Sequence, residues 1–385
     1  MTNRFTPASV ALLAAAGLLA GGINGKASPS TTLKEAFQND FLIGVAVNQA
    51  QFSGDDTNGA AIIREQFDSI SPENALKWSS IHPDPGTNGY NFGPADQYVA
   101  FGESNHMIIV GHTLIWHNQT PRWVFQDATG RPLSGTNAAD RELLLQRMRD
   151  HIHTVVGRYK GRIKIWDVVN EALNQNGTLR KSSWERIIGD DYIEKAFQYA
   201  HEADPDAILR YNDFSLEDEP KQSAAIALMK KLLAEGVPVT AIGLQDHVQM
   251  KWPSAEREDA TISRFAALGV KVMITELDVN VLGGRRTAEV TEMGNQGGSN
   301  GYTNGLPPAV QEALTQRYAD LFGVFVKHRH DIALVTLWGV TDKDSWLNFR
   351  GRVNYPLLFD RAGKPKPAFD AVVQVGLRQT SPKQN

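Results

Sequence analysis

From residue 40 onward, short apolar runs ending on polar or glycine residues alternate with amphipathic stretches. The runs are FLIGVAV (41–47), FDSISPEN (67–74), MIIVGHTLIW (107–116), IKIWDVVNEA (163–172), ILRYND (208–213), AIGLQDH (241–247), KVMITELDV (271–279) and IALVTLWGV (332–340). These runs read as strands. Residues 138–159 repeat apolar positions every 3.6 residues, and so do 185–203, 219–235, 256–268 and 309–328, while 366–377 closes the chain. Proline and glycine punctuate the helix ends, as in AEGVP and ALGV. Eight strand–helix pairs in some 345 residues predict a single α/β domain, a (β/α)8 TIM barrel with its core at 35–375. A doubly wound open sheet is the alternative. No Pro/Ser linker divides the chain. One connection breaks the rhythm: residues 282–308, rich in Gly, Asn and Thr, form a long βα loop. In a barrel such loops rim the active site.

The first 27 residues do not belong to this pattern. Arg4 precedes an apolar run from Ala8 to Ala20, and small residues follow it. That is the form of a secretory signal peptide, so the catalytic domain is expected to start at residue 28. The run is shorter than the ~20 residues of a membrane span. The absence of cysteine excludes a lipid anchor and disulfides, so a secreted or periplasmic product held by packing is expected. Formal charge is −4, and losing Arg4 and Lys26 with the leader makes it −6. With no basic run, nucleic acid is not an expected partner, and no other segment suits a membrane. A monomer is expected.

Strand parity draws attention to two glutamates. With strict alternation, Ile163, Ile165, Asp167, Val169 and Glu171 share the inner face of the fourth strand, and Val272, Ile274, Glu276 and Asp278 that of the seventh. Glu171 and Glu276 then meet at the carboxyl end of the barrel, where active sites lie. Glycoside hydrolysis needs such a pair, one carboxyl protonated to donate to the leaving oxygen and one ionised to attack. In the sixth strand Gln245 and His247 share a parity, so His247 can bond Glu276 while Asp278 holds the other ring nitrogen. Trp78, Trp116, Trp123, Trp338 and Trp346 cluster near strand ends, where indoles can stack on sugar faces. Trp166, mid-strand, reads as core. His112 and His117 are five apart, and the histidines of HIH (151–153) diverge on a helix, so no metal site emerges and no cofactor is required.

FDSISPENALKW, GHTLIWHNQTPRW, WDVVNEAL, YND, GLQDH, ITELDV and TLWGVTDKDSWL occur in the order that resembles glycoside hydrolase family 10, the retaining endo-β-1,4-xylanases. The resemblance implies a (β/α)8 barrel that cuts xylan and xylo-oligosaccharides by double displacement. It implies Glu171 as acid/base, Glu276 as nucleophile and Asn170 as the ligand of the sugar 2-hydroxyl. His247 and Asp278 match the pair that positions the nucleophile. Glu73, Asn74 and Lys77 match the glycone subsites, and His112, Trp116, Gln119, Tyr211, Gln245, Trp338 and Trp346 match further cleft residues. Trp338 and Trp346 would also crowd the CH2OH of glucose and so favour xylose. The family often has glycine where this chain has Asp246, whose parity turns it away from the pair.

Overall fold

The computed structural model describes residues 31–282 and 302–380, so the expected signal peptide and positions 283–301 of the long loop lie outside the described residues. The apolar runs fold as parallel strands β1 (Leu42–Val47), β2 (Ser69–Pro72), β3 (Ile108–Gly111), β4 (Ile165–Asn170), β5 (Ile208–Asp213), β6 (Ala241–Leu244), β7 (His247–Gln249), β8 (Lys271–Asn280) and β9 (Ile332–Leu337). Consecutive strands pair from β1 to β6, β6 pairs with β8, and β8 with β9. Pairing of Leu42 with Leu334 and Val45 with Leu337 joins β9 to β1 and closes the barrel, which excludes the open sheet. The short β7 extends the line of β6 and sets His247 beside Asp278 on β8. The described residues from Thr32 onward cluster as one compact unit.

Helices return the chain between strands. Ala138–Arg158, Lys221–Ala234, Ala255–Ala266, Pro308–Lys327 and Pro367–Thr380 fall where the 3.6 period predicts them. The stretch 185–203 is two helices, Ser183–Ile188 and Tyr192–Ala203, separated at Gly189 with φ 107°. Two further helices carry no comparable sequence signal. Thr57–Gln66 has a glycine in its first turn, and Gly93–Ser104 opens on Gly-Pro and contains Gly102. Glycine lowers intrinsic helicity, so their helical state depends on packing and on the Asp56 cap, whose side chain accepts from Gly59 N–H at 3.0 Å. Several strands stop short of the apolar runs, because their polar tips leave the ladder to become loop.

Five buried residues from five strands, Val110, Ile165, Ala241, Met273 and Leu334, form an apolar cluster separate from the main core. Such residues can meet only across the barrel interior. Above them lies a charged layer: Arg210 donates from Nε and Nη2 to the two oxygens of Asp167, at 2.6 and 2.9 Å, and His112 Nδ1 lies 2.9 Å from Asp167 Oδ2. Burial opposes ionisation of Asp167, but the Arg210 charge and the His112 contact outweigh it and hold its carboxyl down at about 2. The interior is tight here. A Cβ on Gly243 would come within 2.3 Å of Asn212 Oδ1, so only glycine fits.

Strict alternation fails on both strands that carry the glutamates. The β4–β5 register shifts between Asp167 and Val169, and the β8–β9 register shifts between Ile274 and Leu277. Inside β4 the inward series is Ile165, Asp167 and then Asn170, while Val169 packs in the main core. Inside β8 it is Met273, Thr275 and Glu276, while Val272 and Ile274 face the helices. Each bulge adds a residue just before the site and re-aims the tip. Glu171 completes its turn with φ 57°, a left-handed backbone uncommon outside glycine.

Candidate active site

The carboxyl end of the barrel holds a small hollow of about 70 Å³. Glu171 and Glu276 both line it and are 8% and 5% exposed. Around them stand Asn170, Gln245, His247 and His112, with Lys77, Trp116, Trp338 and Trp346 at the sides.

Glu276 is held as an acceptor. Asn212 Nδ2 donates to its Oε1 at 2.8 Å, and His247 Nε2 lies 3.1 Å from Oε2. Burial alone would raise this carboxyl, but the His247 hydrogen bond and the charges of His112 and His247 hold it below the ordinary glutamate value. His247 is itself fixed from behind: its Nδ1 lies 3.1 Å from Asp278 Oδ2, which also accepts from Trp346 Nε1 at 2.6 Å. Burial works against the imidazolium, yet the Asp278 and Glu276 carboxylates push its pKa up to about 10. His247 therefore stays charged across the neutral range.

Glu171 is held differently. Its oxygens accept from Trp116 Nε1 at 2.8 Å, Gln245 Nε2 at 3.1 Å and Asn170 Nδ2 at 3.4 Å. Burial, followed by the negative charge of Asp213, raises its pKa above the ordinary value, and the Glu276 charge adds to the rise. Two glutamates in one hollow are thus pushed apart, which separates an acid from a base.

The residues expected on the glycone side sit further out. Lys77 Nζ donates to Asn74 Oδ1 at 3.3 Å and lies 5.0 Å from the Trp116 ring centroid. Gln119 Nε2 donates to the same Asn74 oxygen at 3.2 Å. Burial lifts Glu73 to about 7 against the opposing pull of Lys77. Trp338 stands edge-on to His112 at 5.5 Å, and the Trp346 ring is 4.8 Å from His247. Asp246 turns away from the hollow, as its parity implies, towards Glu258 and Arg317. Burial and the Glu258 and Glu217 charges push its carboxyl well above the usual range. Trp78 is buried and stacks on His151 at 3.6 Å, and Trp123 packs edge-on to His82, so neither lines the hollow.

One expected cleft residue is misplaced. Tyr211 is fully buried on the outer face of β5, and its hydroxyl donates to Asp213 Oδ2 at 2.5 Å. Its neighbour Asn212 occupies the inner face, donating also to Asn170 Oδ1 at 3.0 Å and accepting from Thr275 Oγ1 at 2.7 Å. The signal was present in ILRYND: Arg210 and Asn212 share one parity, Leu209 and Tyr211 the other, and only the charged layer makes the polar side the inner one. Replacing Asn212 by Ala removes a donor from Glu276. We expect kcat/KM to fall about tenfold or more and the acidic limb of its pH profile to move upward, because the ionised carboxyl loses a hydrogen bond. A pH–rate profile of the variant reads both.

Among the described residues, no group of three or more His, Cys, Asp or Glu side chains is arranged to hold a metal. A parallel barrel opposing two buried carboxylates over one hollow, one ringed by donors and the other pushed towards its neutral form, defines the class of two-carboxylate glycosidases. The chain matches the model of Glycosyl hydrolase family 10 over residues 32–375, and it belongs to that family. It is 41% identical to a beta-1,4-xylanase of Dictyoglomus thermophilum, over 93% of this chain and 94% of that protein. Among solved structures, an endoxylanase retrieved from a sugarcane soil metagenome is 41% identical with a TM-score of 0.82, covering 90% of this chain and 99% of that one. A xylanase of Thermoanaerobacterium saccharolyticum, solved as a mutant in complex with xylotetraose, is 38% identical with a TM-score of 0.77, covering 89% and 98%.

Proposed function

We propose that this chain is an endo-acting retaining xylanase that cleaves internal β-1,4-xylosidic bonds, with Glu276 as nucleophile and Glu171 as acid/base. The observation that carries the reading is the opposed electrostatics of the two glutamates: donors from Asn212 and His247 keep Glu276 ionised, while burial and Asp213 favour the proton on Glu171. The substrate class is supported by the xylanase relatives and by xylotetraose in one of them.

In the first step a Glu276 oxygen attacks the anomeric carbon while Glu171 gives its proton to the departing glycosidic oxygen. The C–O bond breaks, the shortened chain leaves as an alcohol, and a glycosyl-enzyme ester remains. Asn170 hydrogen-bonds the sugar 2-hydroxyl at this centre. Esterification neutralises Glu276, which removes one of the charges raising Glu171. The now ionised Glu171 takes a proton from water, whose oxygen attacks the same carbon and frees Glu276. Glu73, Asn74 and Lys77 bind the glycone side, and Trp338 and Trp346 bound the space beside the sugar ring. One chain supplies every group that lines the hollow, so the proposed reaction needs no second copy, and we propose a monomer. The residue 1–27 pattern supports action outside the cytoplasm. Among the described residues, no helix is long and apolar enough to cross a membrane.

The test is reducing-sugar release from xylan, carboxymethylcellulose and mannan in parallel, with the anomer of the first product followed by proton NMR. Release from xylan with initial β-product agrees with the reading. Release mainly from another polymer, or initial α-product, refutes the substrate or the stereochemistry respectively.

A further inference from the structure

A buried charge pair behind Glu171 is left unused by the two-step mechanism. Lys221 opens the helix Lys221–Ala234, and Asp213 closes β5. Both side chains are fully buried, with Nζ 2.7 Å from Oδ1, and the ammonium lies 3.4 Å from the Phe214 ring centroid. The other oxygen of Asp213 accepts from the Tyr211 hydroxyl at 2.5 Å and from Leu173 N–H at 3.4 Å. The Tyr211 oxygen in turn accepts from Ala172 N–H at 3.2 Å.

These contacts bind the two residues that follow Glu171. The backbone of Glu171 is gripped as well: its N–H donates to Asn212 O at 2.9 Å, and its carbonyl accepts from Arg180 Nε at 3.1 Å. The turn they enclose is the left-handed one, φ 57° on a non-glycine residue. Such a conformation persists only where its surroundings over-determine it. Asp213 can accept from Tyr211 and Leu173 together as a carboxylate, and a buried carboxylate keeps its charge only beside a cation. Lys221 is that cation.

We infer that Lys221 is a positioning residue for the acid/base: it keeps Asp213 an acceptor, and Asp213 with Tyr211 holds the turn that aims Glu171 into the hollow. The inference rests on the proposed acid/base role of Glu171. The charges facing Glu171 are Asp213 from β5, Glu276 from β8 and Lys77 from the segment after β2. Those facing Asp213 are Lys221, with the hydroxyls of Tyr211 and Tyr192. In Lys221→Met, Asp213 is left buried without its cation and takes up a proton. The neutral carboxyl is a weaker acceptor than the carboxylate, so its grip on Tyr211 O–H and Leu173 N–H loosens, and one negative charge behind Glu171 disappears.

Leaving-group dependence separates this role from a general loss of fold. Phenyl β-xylobioside needs a proton on its leaving oxygen, and the 2,4-dinitrophenyl analogue does not. Both are assayed as kcat/KM, which ends at the glycosyl-enzyme. In Lys221→Met the phenyl substrate loses about tenfold or more, the dinitrophenyl substrate changes by less than about twofold, and the basic limb of the phenyl profile moves to lower pH. Lys221→Arg recovers the phenyl rate. Tyr211→Phe, which deletes one hydroxyl and leaves the charge pair, shows the same leaving-group selectivity should Lys221→Met fold poorly. Equal losses on both substrates, or none, overturn the inference. Glu171→Ala serves as the reference: selectivity there but in neither Lys221→Met nor Tyr211→Phe rejects Lys221 alone. Absence of selectivity in Glu171→Ala rejects the acid/base reading itself.

Discussion

Glu276→Gln lowers kcat on xylan by at least about 10⁴-fold while the protein remains folded. The amide is neutral and a poor nucleophile, so no glycosyl-enzyme forms. The wild-type carboxylate sits between two donors, Asn212 Nδ2 on one oxygen and His247 Nε2 near the other. An amide accepts on one side only, so its NH2 faces a donor whichever way it turns. Asp278 lies 3.1 Å from His247 Nδ1 and remains in place, so the imidazolium is not easily relieved of its proton. That mismatch costs about 1–3 kcal/mol, offset in part because a buried negative charge has been removed. Thermal melts are expected to shift by a few degrees in either direction, with xylo-oligosaccharide binding retained by calorimetry. A variant that keeps more than about 1% of parental turnover would show that Glu276 is not the nucleophile.

The second large effect is in Glu171→Ala. With the proposed roles, kcat/KM of the parent is expected to rise with pH as Glu276 ionises and to fall as Glu171 loses its proton. Glu276 is held below the ordinary value of 4.5 and Glu171 above it, so the bell opens outward from that value on both sides. Removing Glu171 lowers kcat/KM on xylan about 10²–10⁴-fold and abolishes its basic limb. A residual limb near pH 10 then belongs to His247, whose loss of charge withdraws support from Glu276. Added azide reaches the space vacated by the carboxyl and intercepts the glycosyl-enzyme. Product appears as a β-glycosyl azide, detectable by mass spectrometry. An unchanged basic limb in Glu171→Ala would assign the proton donor elsewhere.

The two glutamates illustrate how far reading from sequence carries. Asn-Glu and Ile-Thr-Glu end apolar runs on residues a core cannot use, and that chemical mismatch marks them whatever the register. Strict alternation then puts Glu171 and Glu276 inside, yet it also puts Val169, Val272 and Ile274 there, and these pack outward. The agreement at the tips has a different cause in each strand: on β8 a bulge shifts the parity by one residue and brings Glu276 inward, while on β4 the bulge brings Asn170 inward and Glu171 enters the hollow through its left-handed turn. A bulge depends on how neighbouring strands twist and pair, so nothing local in the chain announces it. Tyr211 and Asn212 show the opposite case. The unbulged β5 does alternate, and the inner side is the polar one because Arg210 and Asp167 need each other in the interior. Two glycine-containing helices carry little sequence signal for a related reason, their stability coming from the barrel they cover rather than from their own residues.

The sequence by itself determined the strand–helix alternation, the polar strand tips and the absence of disulfide support, because hydrophobic periodicity and side-chain chemistry are local properties of the chain. The tertiary structure alone decided which polar neighbour faces the hollow, in which direction each carboxyl's proton affinity shifts, and that Lys221, 50 residues beyond Glu171 in the chain, lies behind it. Those outcomes depend on burial and on charges brought together from different strands. Desolvation and Coulomb energies act through space, and the chain acquires them only when the barrel closes.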